Sequence, residues 1–142
     1  MDAKLTHDTE TFGKMDPYCI FETRMQRIRT KVCQGAGKTP NWNGELIEVD
    51  VKYIGDDLHI SVWDEDPGKD DLIAEATIKL SAMCTGGGMD EWYLLQYKGK
   101  NAGHIHLRTN WHPDGRQLEV IVPGMAKPVL ITTDGQLAQR QV

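Results

Sequence analysis

The 142-residue sequence predicts an all-β domain built as an antiparallel β-sandwich. Two observations carry this prediction. Apolar and polar residues alternate with a period of two along several short segments, and clusters of Gly, Pro, Asp and Asn separate those segments. Helical periodicity is nearly absent, and the length suits a single domain with one hydrophobic core.

Six segments alternate clearly enough to be predicted as strands. They are residues 18–22, 27–32, 46–53, 57–63, 72–80 and 104–111. Each presents apolar side chains on one face, as Ile47, Val49 and Tyr53 do, and polar side chains on the other. Beyond residue 111, a turn leads to two more apolar runs, at 118–122 and 129–132, and to a polar tail at 134–142.

The composition excludes several classes of function. With 16 Lys and Arg against 21 Asp and Glu, the formal charge is −5, whereas binding to a nucleic acid backbone needs a basic surface. No apolar stretch approaches the ~20 residues of a transmembrane helix, and the N-terminus lacks the apolar core of a signal peptide.

Three cysteines without CxxC spacing favour reduced thiols in a cytosolic protein. No nucleophile elbow, phosphate-binding glycine loop or HExxH motif is present, so a non-catalytic protein is expected.

Two predicted loops, 8–18 and 64–71, concentrate acidic residues. Together they hold eight of the 21 carboxylates: Asp8, Glu10, Asp16, Asp64, Glu65, Asp66, Asp70 and Asp71. Carboxylates packed this closely repel one another unless a cation neutralises them, and oxygen donors on flexible loops suit Ca²⁺. Asp64 and Asp66, two apart at a strand end, point to the same side and can chelate one ion together. Either loop alone is also explained as a solvated turn, and neither has the spacing of an EF-hand.

Five segments resemble signature motifs of the C2 domain family. They are G-K-M-D-P-Y at 13–18, K-T-P-N-W-N at 38–43, L-H-I-S-V-W-D-E-D at 58–66 followed by D-D-L-I-A-E at 70–75, W-Y-L-L at 92–95 and G-H-I-H-L at 103–107. The resemblance covers residues 3–112 in the order of the family. It implies an eight-stranded antiparallel C2-type β-sandwich whose loops at one end bind Ca²⁺ and, through the ion, an anionic phospholipid membrane.

The resemblance also implies the metal ligands. They are Glu10 and Asp16 from the first loop, and Asp64, Asp66, Asp71 and the backbone carbonyl of Glu65 from the second. The family has Asp at the position of Glu10. Because the loop between Asp66 and Asp71 is one residue shorter than usual, Asp70 is the alternative third ligand. The sequence therefore predicts a calcium-dependent phospholipid-binding module that moves from the cytoplasm to the membrane surface. The alternative is a calcium-independent C2 domain that binds a protein partner.

Two further features bear on membrane binding. Phe12 lies at the tip of the first loop, where it either inserts into lipid or folds back on the sandwich. Basic side chains form a row along strand 27–32 and the turn before it: Arg24, Arg27, Arg29 and Lys31. In the family this strand contacts phosphoinositide headgroups or proteins, although an exposed basic row is also consistent with solvated surface. His104 and His106 alternate outward and are expected to be solvated.

The sequence departs from the family at its N-terminus. A C2 domain opens with a strand of the type L-x-V-x-V-x-x-A-x-x-L, and residues 1–5 supply only its end, so this strand is predicted to be missing. The C-terminal runs are predicted to replace it, as in a circular permutation, giving a C2 domain at 1–133 in which 116–133 complete the sandwich. If a second molecule supplies the strand instead, the protein is a strand-swapped dimer rather than a monomer.

Overall fold

The computed structural model describes residues 2–7 and 14–121, which form nine β-strands and a one-turn 3₁₀ helix at Leu80–Ala82. The strands are β1 (Asp2–Leu5), β2 (Pro17–Glu22), β3 (Arg27–Arg29), β4 (Leu46–Asp50), β5 (Asp57–Asp64), β6 (Asp71–Lys79), β7 (Met89–Tyr97), β8 (Lys100–His112) and β9 (Gln117–Ile121). Within these residues, no helix has the length and hydropathy of a membrane span.

The strands form the predicted antiparallel sandwich. Their hydrogen-bonded order is β3-β2-β5-β6-β7-β8-β9-β4, and β1 pairs with β8. β6 and β7 share one bridge pair, Glu75 with Gln96, so the strands divide there into two layers. The first layer is β3-β2-β5-β6, and the second is β7-β8-β9-β4 with β1. Buried apolar side chains from both layers, including Phe21, Leu58 and Leu118, form one continuous core.

Two short strands, β1 and β9, lie end to end along one edge of β8, and we call the two together the split strand. β1 pairs with β8 from Gly103 to His106, and β9 pairs with it from Arg108 to His112. Both lie on the same edge, because β7 pairs with the other edge from Lys100 to Thr109, a stretch that includes all residues paired with β1 and the first two paired with β9. β9 and β1 run in the same direction, with Ile121 opposite Arg108 and Asp2 opposite His106, so β1 continues where β9 ends.

The split strand corrects one part of the N-terminal prediction. A strand predicted to be missing at the N-terminus is present, because residues Asp2–Leu5 form β1. The run predicted at 118–122 forms β9, between β8 and β4, where it lies end to end with β1. The second run at 129–132 and the tail at 134–142 lie outside the described residues.

The close contact between β1 and β8 depends on Gly103. This residue has a φ of +127°, and a Cβ added to it would lie 2.0 Å from the carbonyl oxygen of Lys4. Residues with a side chain rarely adopt this φ, and no Cβ fits at that distance. The glycine of the G-H-I-H-L segment is therefore what lets β1 join the sheet.

Several strand predictions are wrong in detail. The strand predicted at 46–53 ends at Asp50, because its partner β9 begins opposite it at Gln117 and Arg116, with a φ of +49°, is in a turn. Tyr53 is 65% exposed instead of facing the core. The strand predicted at 27–32 ends at Arg29, and the Thr30 hydroxyl instead accepts the N–H of Cys19 (2.8 Å). Alternation does not predict β7, because residues 92–95 are uniformly aromatic or apolar.

His106 is buried rather than solvated as predicted. Its Nε2 lies 2.6 Å from Oδ1 of Asp90, and its ring stacks on Trp92 with centroids 5.1 Å apart. Both partners come from β7, which the alternation did not predict. A carboxylate partner and an aromatic neighbour offset the cost of withdrawing the imidazole from water.

Candidate metal centre

Three carboxylates converge where β5 passes into β6. Asp64 ends β5, Asp66 lies in the connecting loop, and Asp71 begins β6 directly opposite Asp64. One carboxylate oxygen from each lies within 4.8 Å of the others. In the described part of the chain, no other group of three His, Cys, Asp or Glu side chains comes this close together. The antiparallel register of one hairpin is therefore enough to assemble the cluster.

The cluster extends from the protein interior to the solvent. Asp64 is fully buried, Asp66 is half-buried and Asp71 is exposed. A buried carboxylate needs compensating donors, and Asp64 Oδ1 accepts the backbone N–H of Asp16 at 2.9 Å. The carbonyl of Asp16 in turn accepts the N–H of Glu65 at 3.1 Å. These two bonds hold the end of the first acidic loop against the second.

The side chain of Asp16 is oriented by the chain that follows β3. Its Oδ1 accepts the backbone N–H of Gly35 at 2.5 Å. Asp16 and Asp66 line the same open pocket of about 460 Å³, but the Asp16 carboxylate is not part of the three-residue cluster. The structure thus places this predicted ligand beside the cluster, with one oxygen already bonded.

Two other predicted site residues have protein partners for their carboxylates. Glu65 Oε2 accepts a hydrogen bond from Arg29 at 3.0 Å. Asp70 Oδ2 accepts the hydroxyl of Tyr18, and Asp70 Oδ1 accepts the backbone N–H of Asp66 at 3.1 Å. The hydrogen bond from Tyr18 is the main reason that the pKa of Asp70 is lowered. Burial and, next, the bond to Asp70 raise the pKa of Tyr18 to about 12.

Sequence reasoning missed Tyr18 as a member of this site. The sequence signal was its place in the segment D-P-Y. In the structure, Tyr18 of β2 pairs with Trp63 of β5, the residue directly before Asp64. Glu10 and Phe12, by contrast, lie outside the described residues, and their assignments remain predictions.

The predicted basic row is divided among separate environments. Arg24 pairs with Asp56 (3.0 Å) in the turn after β2, at the end of the sandwich far from the acidic loops. Arg29 pairs with Glu65 and lies 3.7 Å above the ring of Tyr18. Arg27 and Lys31 are exposed, and no ion-pair partner for either is found among residues 2–7 and 14–121.

The donor set suits a hard divalent cation. Every candidate ligand in the cluster is a carboxylate oxygen, with no imidazole or thiolate among them. Ca²⁺ takes six to eight oxygen ligands in variable geometry, whereas zinc and copper sites favour nitrogen and sulfur. The residues present therefore fit calcium, with the remaining positions left to backbone carbonyls, water or a ligand phosphate.

Comparison with known proteins gives concordant matches. A family model described as the C2 domain matches residues 1–95. Extended synaptotagmin-1 of Rattus norvegicus is 32% identical over 114 residues, which is 78% of this chain and 10% of that protein. The chain therefore spans about a tenth of the length of such relatives.

Solved structures match over most of the chain. A calcium-bound structure of two C2 domains, A and B, of extended synaptotagmin 2 is 30% identical, with a TM-score of 0.62, over 77% of this chain and 44% of that one. A C2 domain of plant extended synaptotagmin 1 has a TM-score of 0.65 over 88% of this chain and 91% of that one. Because the sequence identity of this second match is 18%, it supports the fold alone.

Proposed function

Because the chain belongs to the C2 domain family, we propose that it is a non-catalytic, calcium-dependent module that binds anionic phospholipid and attaches reversibly to membranes. The observation that carries the proposal is the convergence of Asp64, Asp66 and Asp71 at one end of the sandwich. The calcium-bound relative with the same fold supports the choice of metal.

The proposed ligands come from both acidic loops. They are Asp64, Asp66 and Asp71, the carbonyl of Glu65, the second oxygen of Asp16, and Glu10. Without calcium, these carboxylates give the loop end a negative potential that repels anionic headgroups. A bound Ca²⁺ reverses that potential locally and leaves coordination positions that a lipid phosphate can fill.

Two residues of the basic row are proposed to add lipid affinity. Arg27 and Lys31 are exposed on the first layer, and β3 runs back from the far turn toward the acidic loops. Each basic side chain near an anionic membrane surface contributes about 1 kcal/mol, and added salt weakens the contribution. Phe12, which the sequence predicts at the tip of the first loop, is proposed to insert. The protein would then be cytoplasmic without calcium and peripheral on the membrane with it.

Calorimetric titration of the calcium-free protein tests the metal-binding half of the proposal. We expect saturable heat for the wild type and a melting temperature that rises with calcium, since a ligand that binds only the folded state stabilises it. Asp64→Asn combined with Asp66→Asn should abolish both effects. Asp57→Asn, which changes an exposed carboxylate paired with Lys79 at the opposite end, is the matched control and should bind normally. No heat and no thermal shift of the wild type at millimolar calcium would refute the proposal.

The alternative function, calcium-independent binding of a protein, is favoured by a different feature. Met25, Tyr53 and Ile54 are 65%, 65% and 50% exposed on loops at the end opposite the acidic cluster. Exposed apolar side chains grouped at one end of a domain suit a protein partner. This alternative predicts that melting temperature and vesicle binding are the same with calcium and with chelator.

A further inference from the structure

We propose that Asp70 is a positioning residue of the calcium-binding loop, not a calcium ligand, and that it acts together with the hydroxyl of Tyr18. This inference rests on the proposed function, because it divides the roles of two adjacent carboxylates in the same loop. Asp71 would bind the ion, and Asp70 would hold the loop in the conformation that binds it.

The contacts of Asp70 carry the inference. Its Oδ2 accepts the hydroxyl of Tyr18, a residue of β2 that is 4% exposed, and its Oδ1 accepts the backbone N–H of Asp66 at 3.1 Å. Both oxygens therefore already have protein donors. The side chain of Asp71 takes part in the cluster with Asp64 and Asp66, whereas that of Asp70 does not.

A second tie holds the same loop to β3. The guanidinium of Arg29 lies 3.7 Å from the ring centroid of Tyr18 and bonds Glu65 Oε2 at 3.0 Å. Glu65 and Asp70 flank Asp66, so the loop is fastened on both sides of a central ligand. We call Tyr18, Arg29, Glu65 and Asp70 the loop brace.

The loop brace lowers the entropic cost of binding the ion. A flexible loop must be ordered when its ligands close on a cation, and that ordering opposes binding. Bonds that fix the main chain of Asp66 beforehand remove part of this cost. They strengthen calcium binding although none of the four side chains donates to the metal, as outer-shell partners do in other metal sites.

Four variants in calcium calorimetry separate a ligand from a positioning residue. Asp70→Asn keeps an acceptor for the Asp66 N–H and an amide that can donate to the Tyr18 oxygen, so its affinity should stay within about twofold of wild type. Asp70→Ala removes both bonds and should weaken binding about tenfold. Tyr18→Phe should weaken it by a similar factor, and combining it with Asp70→Ala should add little more. Asp71→Asn removes a charged ligand and should weaken binding about 100-fold.

The rescue by Asp70→Asn is the deciding result. If Asp70→Asn binds calcium as weakly as Asp71→Asn does, Asp70 is a ligand and the inference is wrong. It is equally wrong if Asp70→Ala and Tyr18→Phe bind with wild-type affinity. Tyr53→Phe, which removes a hydroxyl from an exposed ring at the far end, is the matched control. Wild-type protein that binds no calcium would instead overturn the proposed function itself, so the two failures are distinguishable.

Discussion

The two layers of the sandwich differ in the features that they carry. The first layer, β3-β2-β5-β6, carries the acidic cluster, the loop brace and the exposed basic residues. The second layer, β7-β8-β9-β4 with β1, contains two strands from near the two ends of the described chain, β1 and β9, which meet along one edge of β8. Substitutions of the loop and surface residues of the first layer should therefore change ligand binding, whereas substitutions where β1 and β9 meet β8 should change folding.

Deleting residues 116–142 should have the largest effect. The deletion removes β9, to which β4 pairs in the described structure, and takes Leu118 and Val120 out of the core. The loss is expected to exceed the about 5–15 kcal/mol by which a domain is stable. Circular dichroism should show no cooperative melting. An undamaged transition would mean that β9 is not structural, and deleting 134–142 alone is the control that should leave melting unchanged.

Gly103→Ala should be among the most damaging single substitutions in the second layer. Its Cβ would collide with the backbone of Lys4, and the φ of +127° disfavours any side chain. We expect a loss of about 3 kcal/mol or more in the free energy of unfolding, measured by urea denaturation. Gly99→Ala is the matched control: its φ is +79°, but no atom lies within 4 Å, so only about 1 kcal/mol should be lost. Equal losses would show that the β1–β8 contact is unimportant.

Arg27→Ala combined with Lys31→Ala should have an intermediate effect, confined to lipid binding. Both side chains are exposed, so the free energy of unfolding should change by less than about 0.5 kcal/mol. Affinity for anionic vesicles in saturating calcium should fall about 30-fold, since each side chain contributes about 1 kcal/mol, and its dependence on salt should become weaker. Calcium affinity without lipid should not change. Unaltered vesicle affinity would mean that the basic residues are only solvated surface.

Arg24→Ala should have the smallest effect, although the sequence placed Arg24 in the same basic row. Its guanidinium is paired with Asp56 at the end of the sandwich far from the acidic cluster. Exposed pairs of this kind contribute about 0–1 kcal/mol, so melting should hardly move. Vesicle affinity should stay within about twofold of wild type. A larger loss would move the lipid contact toward the far turn.

These contrasts show what the sequence could and could not predict. The sequence predicts that Asp64 and Asp66 act together because they lie two apart at a strand end, whereas Asp71 is implied only by the resemblance to the C2 family, with Asp70 as the alternative. The partners of Glu65 and Asp70 were not predicted, because Arg29 and Tyr18 come from strands more than 30 residues earlier in the chain. Long-range pairing of this kind leaves no periodic trace in the sequence.

The split strand shows the same limit in the second layer. The apolar run at 118–122 is recognisable as a strand and is predicted to replace a missing N-terminal strand. Its position between β8 and β4, end to end with β1, depends on register along β8 that composition alone does not specify.

Sedimentation with vesicles of phosphatidylcholine and phosphatidylserine tests the central claim most directly. The wild-type protein should pellet with the vesicles in about 1 mM calcium and return to the supernatant when a chelator is added, because calcium reverses the potential of the acidic loops. Asp64→Asn combined with Asp66→Asn should stay in the supernatant throughout. If the wild type pellets to the same extent with calcium and with chelator, the proposed calcium dependence is wrong.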